Sequence, residues 1–447
     1  MIFVVRVSVD FNKQSGKIKP MHAVNNGPTK KGNAFGKVQA ADVAGDLWRD
    51  SGIPYARTHD SSFCASYGGE HTIDIQAIFP DFDADVNDPA SYDFPVTDAY
   101  VKRIHECGTE TFYRLGTKIE HQVKKYNIYP PKDFKKWAMI CEHIIMHYNE
   151  GWADGFHYGI KYWEIWNEPD LDTEESTNRR TWGGTELEFF ELYETAATHL
   201  KQKFPHLKMG GPASAFRKDW QERFWQYLTR DGKKVPLDFF SWHCYAFVPE
   251  RLRELGGRIR QKLAQYGYTE TESILDEWNY VKSWDNPVYN VKTVISIKGA
   301  AFTASCMCIS QNEDLVDMLM YYDARPSTYN GLFDFYTKEP LKGYYPFKMF
   351  NILYRLGNAH KCTIDGDNIY ASAASKGNET AALVCYYTDD DTCTEVKEIK
   401  LDFACGAKKY EIFLLDCDHD AQSIGFADNG SVIEMKPNSV CLLKSAD

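Results

Sequence analysis

Glu168 and Glu277 stand 109 residues apart (277 − 168 = 109), and each lies at the end of an apolar, β-prone run. The first run is Tyr162-Trp163-Glu164-Ile165-Trp166-Asn167-Glu168-Pro169-Asp170. Pro169 cannot donate to a ladder and pushes Glu168 into extended backbone, so the strand stops there. A carboxylate in that place, with an amide beside it and indoles behind it, suits a proton donor whose pKa burial has raised. A plain strand-end glutamate before a surface turn fits the same residues. The second run is Ser273-Ile274-Leu275-Asp276-Glu277-Trp278-Asn279.

The elements that must position these acids follow a rhythm. β-prone segments near 21–25, 53–60, 109–115, 162–168, 207–212, 237–245, 273–279 and 317–323 alternate with helical patterns near 38–51, 96–107, 132–150, 185–203, 217–230, 250–265, 291–311 and 343–356. Eight β/α units predict an α/β fold, a closed (β/α)8 TIM barrel over residues 17–358. An open doubly wound sheet is the rival, but the glycine-rich phosphate turn it usually carries is missing. In a parallel barrel chemistry collects at the C-terminal ends of the strands. Glu168 ends the fourth strand and Glu277 the seventh, across the mouth from each other. Two carboxylates flanking one bond suit glycoside hydrolysis, where one acid protonates the leaving oxygen and the other attacks or activates water. A separation of about 5–5.5 Å gives retention of configuration and a wider gap inversion.

Neighbouring polar residues extend the candidate site. His243 and Tyr245 are two apart and share one face of the sixth strand, so a Tyr245 hydroxyl can donate to Glu277. A satisfied core histidine is the plain alternative for His243. His59 and Asp60 end the second strand at the same rim, or cap a local turn; Arg57 reads as structural. Trp278 and Tyr322, at the ends of strands seven and eight, are further candidates for sugar contact. Strict alternation sends Asn167 and Glu168 to opposite faces, so both serve one site only if the strand bends or ends there. Asn167 then bonds a sugar 2-hydroxyl.

Composition narrows the partners. The net charge of −12 comes without a basic run, which argues against nucleic acid. No run of 18 apolar residues exists, so no membrane span is expected. The cysteines lack zinc or thioredoxin spacing, and Cys64, Cys141, Cys244 and Cys385 sit in apolar stretches as reduced thiols do. No histidine or carboxylate cluster has ligand spacing, so neither metal nor cofactor is expected. A cytoplasmic location follows from the reduced thiols and the arginine-broken N-terminal run, unless a leader was trimmed. A homo-oligomer is allowed. Aromatics at 15% fill a large core or line sugar-binding faces.

After about residue 359 the period shortens. Segments near 368–373, 380–387, 395–401, 409–415 and 439–444 read as an antiparallel β-sandwich over 359–447. The strand at 2–10, within an N-terminal piece 1–16, has no barrel partner and is expected to pair into this sandwich.

With these residues in hand, a resemblance can be stated. Trp166-Asn167-Glu168-Pro169 on the fourth strand with Glu277 on the seventh resembles the clan of retaining barrel glycosidases. Arg57-Thr58-His59-Asp60, Ser241-Trp242-His243-Cys244-Tyr245 and the β-rich tail are similar to glycoside hydrolase family 39. The resemblance implies that Glu168 is the acid/base and Glu277 the nucleophile, with Asn167, His59, His243 and Tyr245 binding sugar or orienting the nucleophile. It further implies an exo-acting, β-xylosidase-like enzyme, with an arabinosidase, iduronidase or endo-glycanase as neighbouring specificities. A silent sugar-binding barrel is the reading from another class. Many barrels of this clan end strand eight with tryptophan; here Tyr321-Tyr322-Asp323-Ala324-Arg325 makes that rim polar, and Arg325 reads as a partner for Asp323.

Overall fold

A computed structural model describes residues 4–28, 43–59, 73–326 and 331–446. Asp60, Cys64 and the start of the helical pattern near 38 lie outside them. Strands β2 (Ala23–Asn25), β3 (Tyr55–Arg57), β4 (Glu110–Leu115), β5 (Tyr162–Ile165), β6 (Lys208–Ser214), β7 (Phe239–Ala246), β8 (Glu272–Tyr280) and β9 (Met318–Tyr321) pair in order and close into a parallel barrel. This is the expected TIM barrel.

Strand alternation stacks its interior in layers. Tyr162, Phe112, Phe239, Ile274, Met318 and Met320 form an apolar plug. Two residues on, Arg57, Glu164, Ser241 and Asp276 are wholly buried. One step further, at the strand ends, come His59, Glu168, His243 and Glu277. Outward residues such as Trp163, Ile165 and Leu275 join the main core shared with the helices. Glycines let β5, β6 and β7 close up. A Cβ on Gly210 would sit 2.2 Å from the Phe239 carbonyl oxygen, and one on Gly211 2.7 Å from that of Ile165.

The long helices follow the predicted pattern, a short unpredicted one spans Ile75–Ile78, and one prediction is divided. The single helix expected near 291–311 is two: one spans Pro287–Val294, the other Ile297–Asn312. Asn286 caps the first by accepting from the Tyr289 amide, and Pro287 opens it. Among the described residues no single helix is long and apolar enough to cross a membrane.

The β-rich tail is the expected sandwich-like, mostly antiparallel domain, its strands hydrogen-bonded in one continuous order. Its nine strands include β1 (Val4–Lys17), β10 (Asn358–Ile364), β11 (Ile369–Lys376), β12 (Glu379–Tyr386), β13 (Lys397–Ala404), β14 (Lys409–Leu415), β15 (Asp420–Asp428), β16 (Val432–Met435) and β17 (Ser439–Ser445). β1 runs antiparallel to β10 and parallel to β13, so the N-terminal strand lies inside this sheet. The sheet curls so that the strands next to its two edges face each other across a private core, where Phe403 of β13 sits edge-on to Tyr410 of β14 at 5.2 Å. Its other face, with Ala381, Leu383, Cys385 and Leu442, packs into the main barrel core. The Cys308 and Cys385 sulfurs meet there at 3.7 Å, and every cysteine among the described residues is a free thiol. Strands β10, β15 and β16 escaped the sequence reading. β15 and β16 are mostly exposed edge strands and carry little apolar alternation.

Candidate active site

The two glutamates reach one cavity by two different backbone departures. β5 stops at Ile165, and Trp166 and Glu168 then adopt left-handed φ values of 76° and 49°. Such backbone is costly for residues with a Cβ and is held by its surroundings. The Trp166 amide bonds the Leu115 carbonyl at 2.7 Å, the Glu168 amide bonds the Ala213 carbonyl at 2.9 Å, and the Thr181 hydroxyl holds the Glu168 carbonyl at 2.5 Å. The strand thus ends before Asn167 and Glu168, so strict alternation no longer governs them: Glu168 lines the cavity, and the Asn167 side chain is held beneath it by Arg57. On β8 the register slips between Leu275 and Glu277 relative to β7. This bulge lets two consecutive acids, Asp276 and Glu277, face the interior together.

Glu168 and Glu277 are 6% and 5% exposed and line a cavity of about 720 Å³. With the His243 ring they form a cluster whose ligand atoms all lie within 4.8 Å of one another. One oxygen of the Glu168 carboxylate therefore lies within 4.8 Å of one oxygen of the Glu277 carboxylate. His243 Nδ1 donates to Glu168 Oε1 at 2.7 Å and lies 3.7 Å from Glu277 Oε2, while its Nε2 faces Asp276 Oδ1 at 3.6 Å. The Tyr245 hydroxyl donates to Glu277 Oε1 at 2.6 Å, and His59 Nε2 lies 3.0 Å from Glu277 Oε2.

The two acids have opposed electrostatics. Burial pushes the Glu168 carboxyl up, outweighing the His243 charge that pulls it down; Glu277 and Asp170 add to the rise. Burial also acts upward on Glu277, but His243, His59 and Arg57 together hold it well below the usual carboxylate range. Burial opposes charge on His243, yet Glu277, Asp276 and Glu168 hold its pKa well above the ordinary value. The site thus raises one carboxyl and lowers the other.

Beneath the pair, Arg57 is a fully buried hub. It donates to Glu164 Oε2 at 2.7 Å, Asn25 Oδ1 at 2.9 Å and Asn167 Oδ1 at 2.7 Å. It also lies 3.0 Å from Asp276 Oδ2. That is the structural role expected of it. Asn167 keeps its Nδ2 without a hydrogen-bond partner, although the side chain is buried. Tyr322 lines the cavity beside His59, with ring centroids 5.6 Å apart, and Asn279 fixes its carbonyl at 2.5 Å. Arg325 pairs with Asp323 at 3.4 Å.

Trp278 corrects the sequence reading. Alternation resumes after the bulge, so its ring points opposite Glu277, fully buried against Phe302 and Tyr321 in the helix layer. It does not reach the cavity. Asp60 lies outside the described residues. Several wall residues carried no motif: Leu171 and Arg180 from the segment 170–185, Phe216 after β6, and Trp284 after β8. Their one sequence signal was position, in loops that follow barrel strands. Asp170 was also missed. It accepts from the Ser214 hydroxyl at 2.7 Å and from the Ala215 and Arg217 amides at 2.7 and 3.0 Å, which anchors the turn bearing Phe216.

Residues 5–397 match the family described as Glycosyl hydrolases family 39. A beta-xylosidase of Caldicellulosiruptor saccharolyticus is 25% identical over 335 residues, 66% of this chain and 61% of that protein. A beta-xylosidase of Geobacillus stearothermophilus is 28% identical over 223 residues, 44% of this chain and 40% of that protein. The chain thus spans about three fifths and two fifths of the lengths of these curated relatives. The crystal structure of a glucosidase from Croceicoccus marinus superposes with a TM-score of 0.74 at 22% identity, covering 99% of both chains. With the family match extending over most of the sequence, this chain belongs to glycosyl hydrolase family 39.

Proposed function

We propose that this protein is a retaining, exo-acting glycoside hydrolase of β-xylosidase-like specificity. The observation that carries the mechanism is the close approach of two carboxylates with opposed protonation preferences in one cavity. Glu168, whose pKa burial raises, gives its proton to the glycosidic oxygen while Glu277, whose pKa is lowered, attacks the anomeric carbon as a carboxylate. The C–O bond breaks, the leaving sugar departs with the proton, and a glycosyl ester forms on Glu277. Glu168, now a carboxylate, takes a proton from water as that water attacks the anomeric carbon and frees Glu277. Because His243 occupies Oε1 of Glu168, the transferable proton resides on Oε2. Asn167 Nδ2, buried and unpartnered, is available to a sugar hydroxyl. The two curated relatives named above are beta-xylosidases, which supports xylose as the glycone; one structural neighbour is a glucosidase, so glucose is the second choice.

The test is a panel of aryl glycosides with the wild type and Glu277→Ala. Release from 4-nitrophenyl β-xyloside with net retention, abolished by the substitution, is the expected result. Turnover that survives in Glu277→Ala overturns the nucleophile assignment, and inverted product overturns the retaining mechanism.

A further inference from the structure

The glutamates lie at the floor of the cavity, whereas one aromatic wall residue stands at its mouth. Trp284 lines the cavity and is 62% exposed. Its ring meets Tyr245 edge-on at 5.1 Å, and Tyr245 is the residue that donates to Glu277. An indole that is more than half exposed and lines the cavity this close to the reacting centre suits the C–H face of a sugar ring lying one unit above the scissile bond.

The loop that carries this indole is tied down on two sides. Buried Asn290 accepts from the Lys282 amide at 3.0 Å and donates to the Ser283 carbonyl at 2.8 Å, closing the turn from within. The curled sheet then holds the loop from outside. Asp389 receives Lys282 Nζ at 2.7 Å, the Tyr280 hydroxyl at 2.7 Å and Lys298 Nζ at 2.9 Å. Asp391 receives the Tyr289 hydroxyl at 2.6 Å and Lys298 Nζ at 2.9 Å. The Tyr387 hydroxyl donates to the Phe247 carbonyl at 2.5 Å, two residues past Tyr245. One turn of the sheet, residues 387–391, therefore grips the segments on both sides of the Tyr245–Trp284 contact. Such outside support is what a pre-organised binding face needs.

We propose that Trp284 is the stacking platform for the leaving-group sugar, with Asp389 and Asp391 as its positioning residues. This rests on the hydrolase reading and adds the subsite that reading lacks. The binding is uniform in kind: it holds the second ring in ground and transition states alike, so its loss falls on KM.

Two probes separate this subsite from the rest of the cavity, β-xylosyl fluoride, whose leaving group has no ring, and xylobiose. Trp284→Ala should lose about tenfold more kcat/KM on xylobiose than on the fluoride, the difference appearing in KM; Trp284→Tyr should restore most of it. Asp389→Asn should show a smaller loss of the same selectivity. Equal losses on both probes, or none, overturn the platform. A wild type inert towards both is the failure of the hydrolase reading instead. The platform then stands or falls on calorimetry: xylobiose bound with equal Kd by the wild type and Trp284→Ala, or by neither, overturns it.

Discussion

The Nδ1 atom of His243 sits 2.7 Å from Oε1 of Glu168, and the same nitrogen is 3.7 Å from Oε2 of Glu277. One imidazole thus lies between two acids that must hold different protonation states. Its positive charge lowers both carboxyl pKa values, yet burial keeps Glu168 raised while Glu277 stays depressed. Activity should therefore fall at low pH as Glu277 gains a proton, and at high pH as Glu168 loses one. Replacing the ring by a neutral amide removes a cation from both, so both pKa values rise. For His243→Gln the whole kcat/KM bell is expected to move to higher pH, at reduced height. A bell whose limbs stay put would mean that His243 is uncharged or that other groups set the limbs.

Tyr245 contributes a single short donor to an anion, 2.6 Å from Glu277 Oε1. Hydrogen bonds to charged groups contribute about 1.5–3 kcal/mol, so Tyr245→Phe should cost about 10- to 100-fold in kcat/KM. Without this donor Glu277 is less stabilised as an anion, and the acid limb alone should rise. Steady-state kinetics across pH, with circular dichroism to confirm an intact fold, checks both statements.

Arg57 is the cation on which the buried layer depends. It satisfies Glu164, Asn25 and Asn167 and lies against Asp276, all within a layer closed to solvent. Removing one partner of a buried ionic cluster leaves uncompensated charge, so Arg57→Ala should lower stability by about 3–5 kcal/mol in urea unfolding. Lysine should not rescue it, since it lacks the planar fork that reaches several acceptors. Asp276 and Glu277 have depressed carboxyl values in the fold, with Arg57 among the causes. The stability they contribute is present above the ordinary carboxylate range and is lost as pH falls through the depressed values. The cost of Arg57→Ala should shrink over that same acid window.

The sheet is bound into the barrel through buried apolar surface, with Leu383, Cys385 and Leu442 in the core that also contains Cys306, Cys308 and Phe350. A chain ending at residue 358 would expose that surface and strand β1 without its partners β10 and β13. It is expected to be recovered as aggregate. A soluble, fully active truncated barrel would refute a scaffolding role for the sheet.

Much of this was legible in the residues themselves, and for a local reason. Alternating β and α periods, a proline after Glu168 and turn-rich short strands after 359 are nearest-neighbour signals, and they specify a barrel with a β-rich tail. The two acids were visible because strand ends in a parallel barrel share one mouth. What the chain could not display alone was where periodicity breaks. The left-handed backbone at Trp166 and Glu168 and the bulge before Glu277 exist because neighbouring strands impose them. Those departures aim Asn167, Glu168, Asp276 and Glu277 together and turn Trp278 away. Likewise, the central place of His243 and the sheet's grip on the Trp284 loop join residues more than seventy positions apart. Sequence order determines which groups exist and on which elements they ride; only closure of the barrel, by removing water and bringing distant charges within a few ångströms, decides their protonation and their aim.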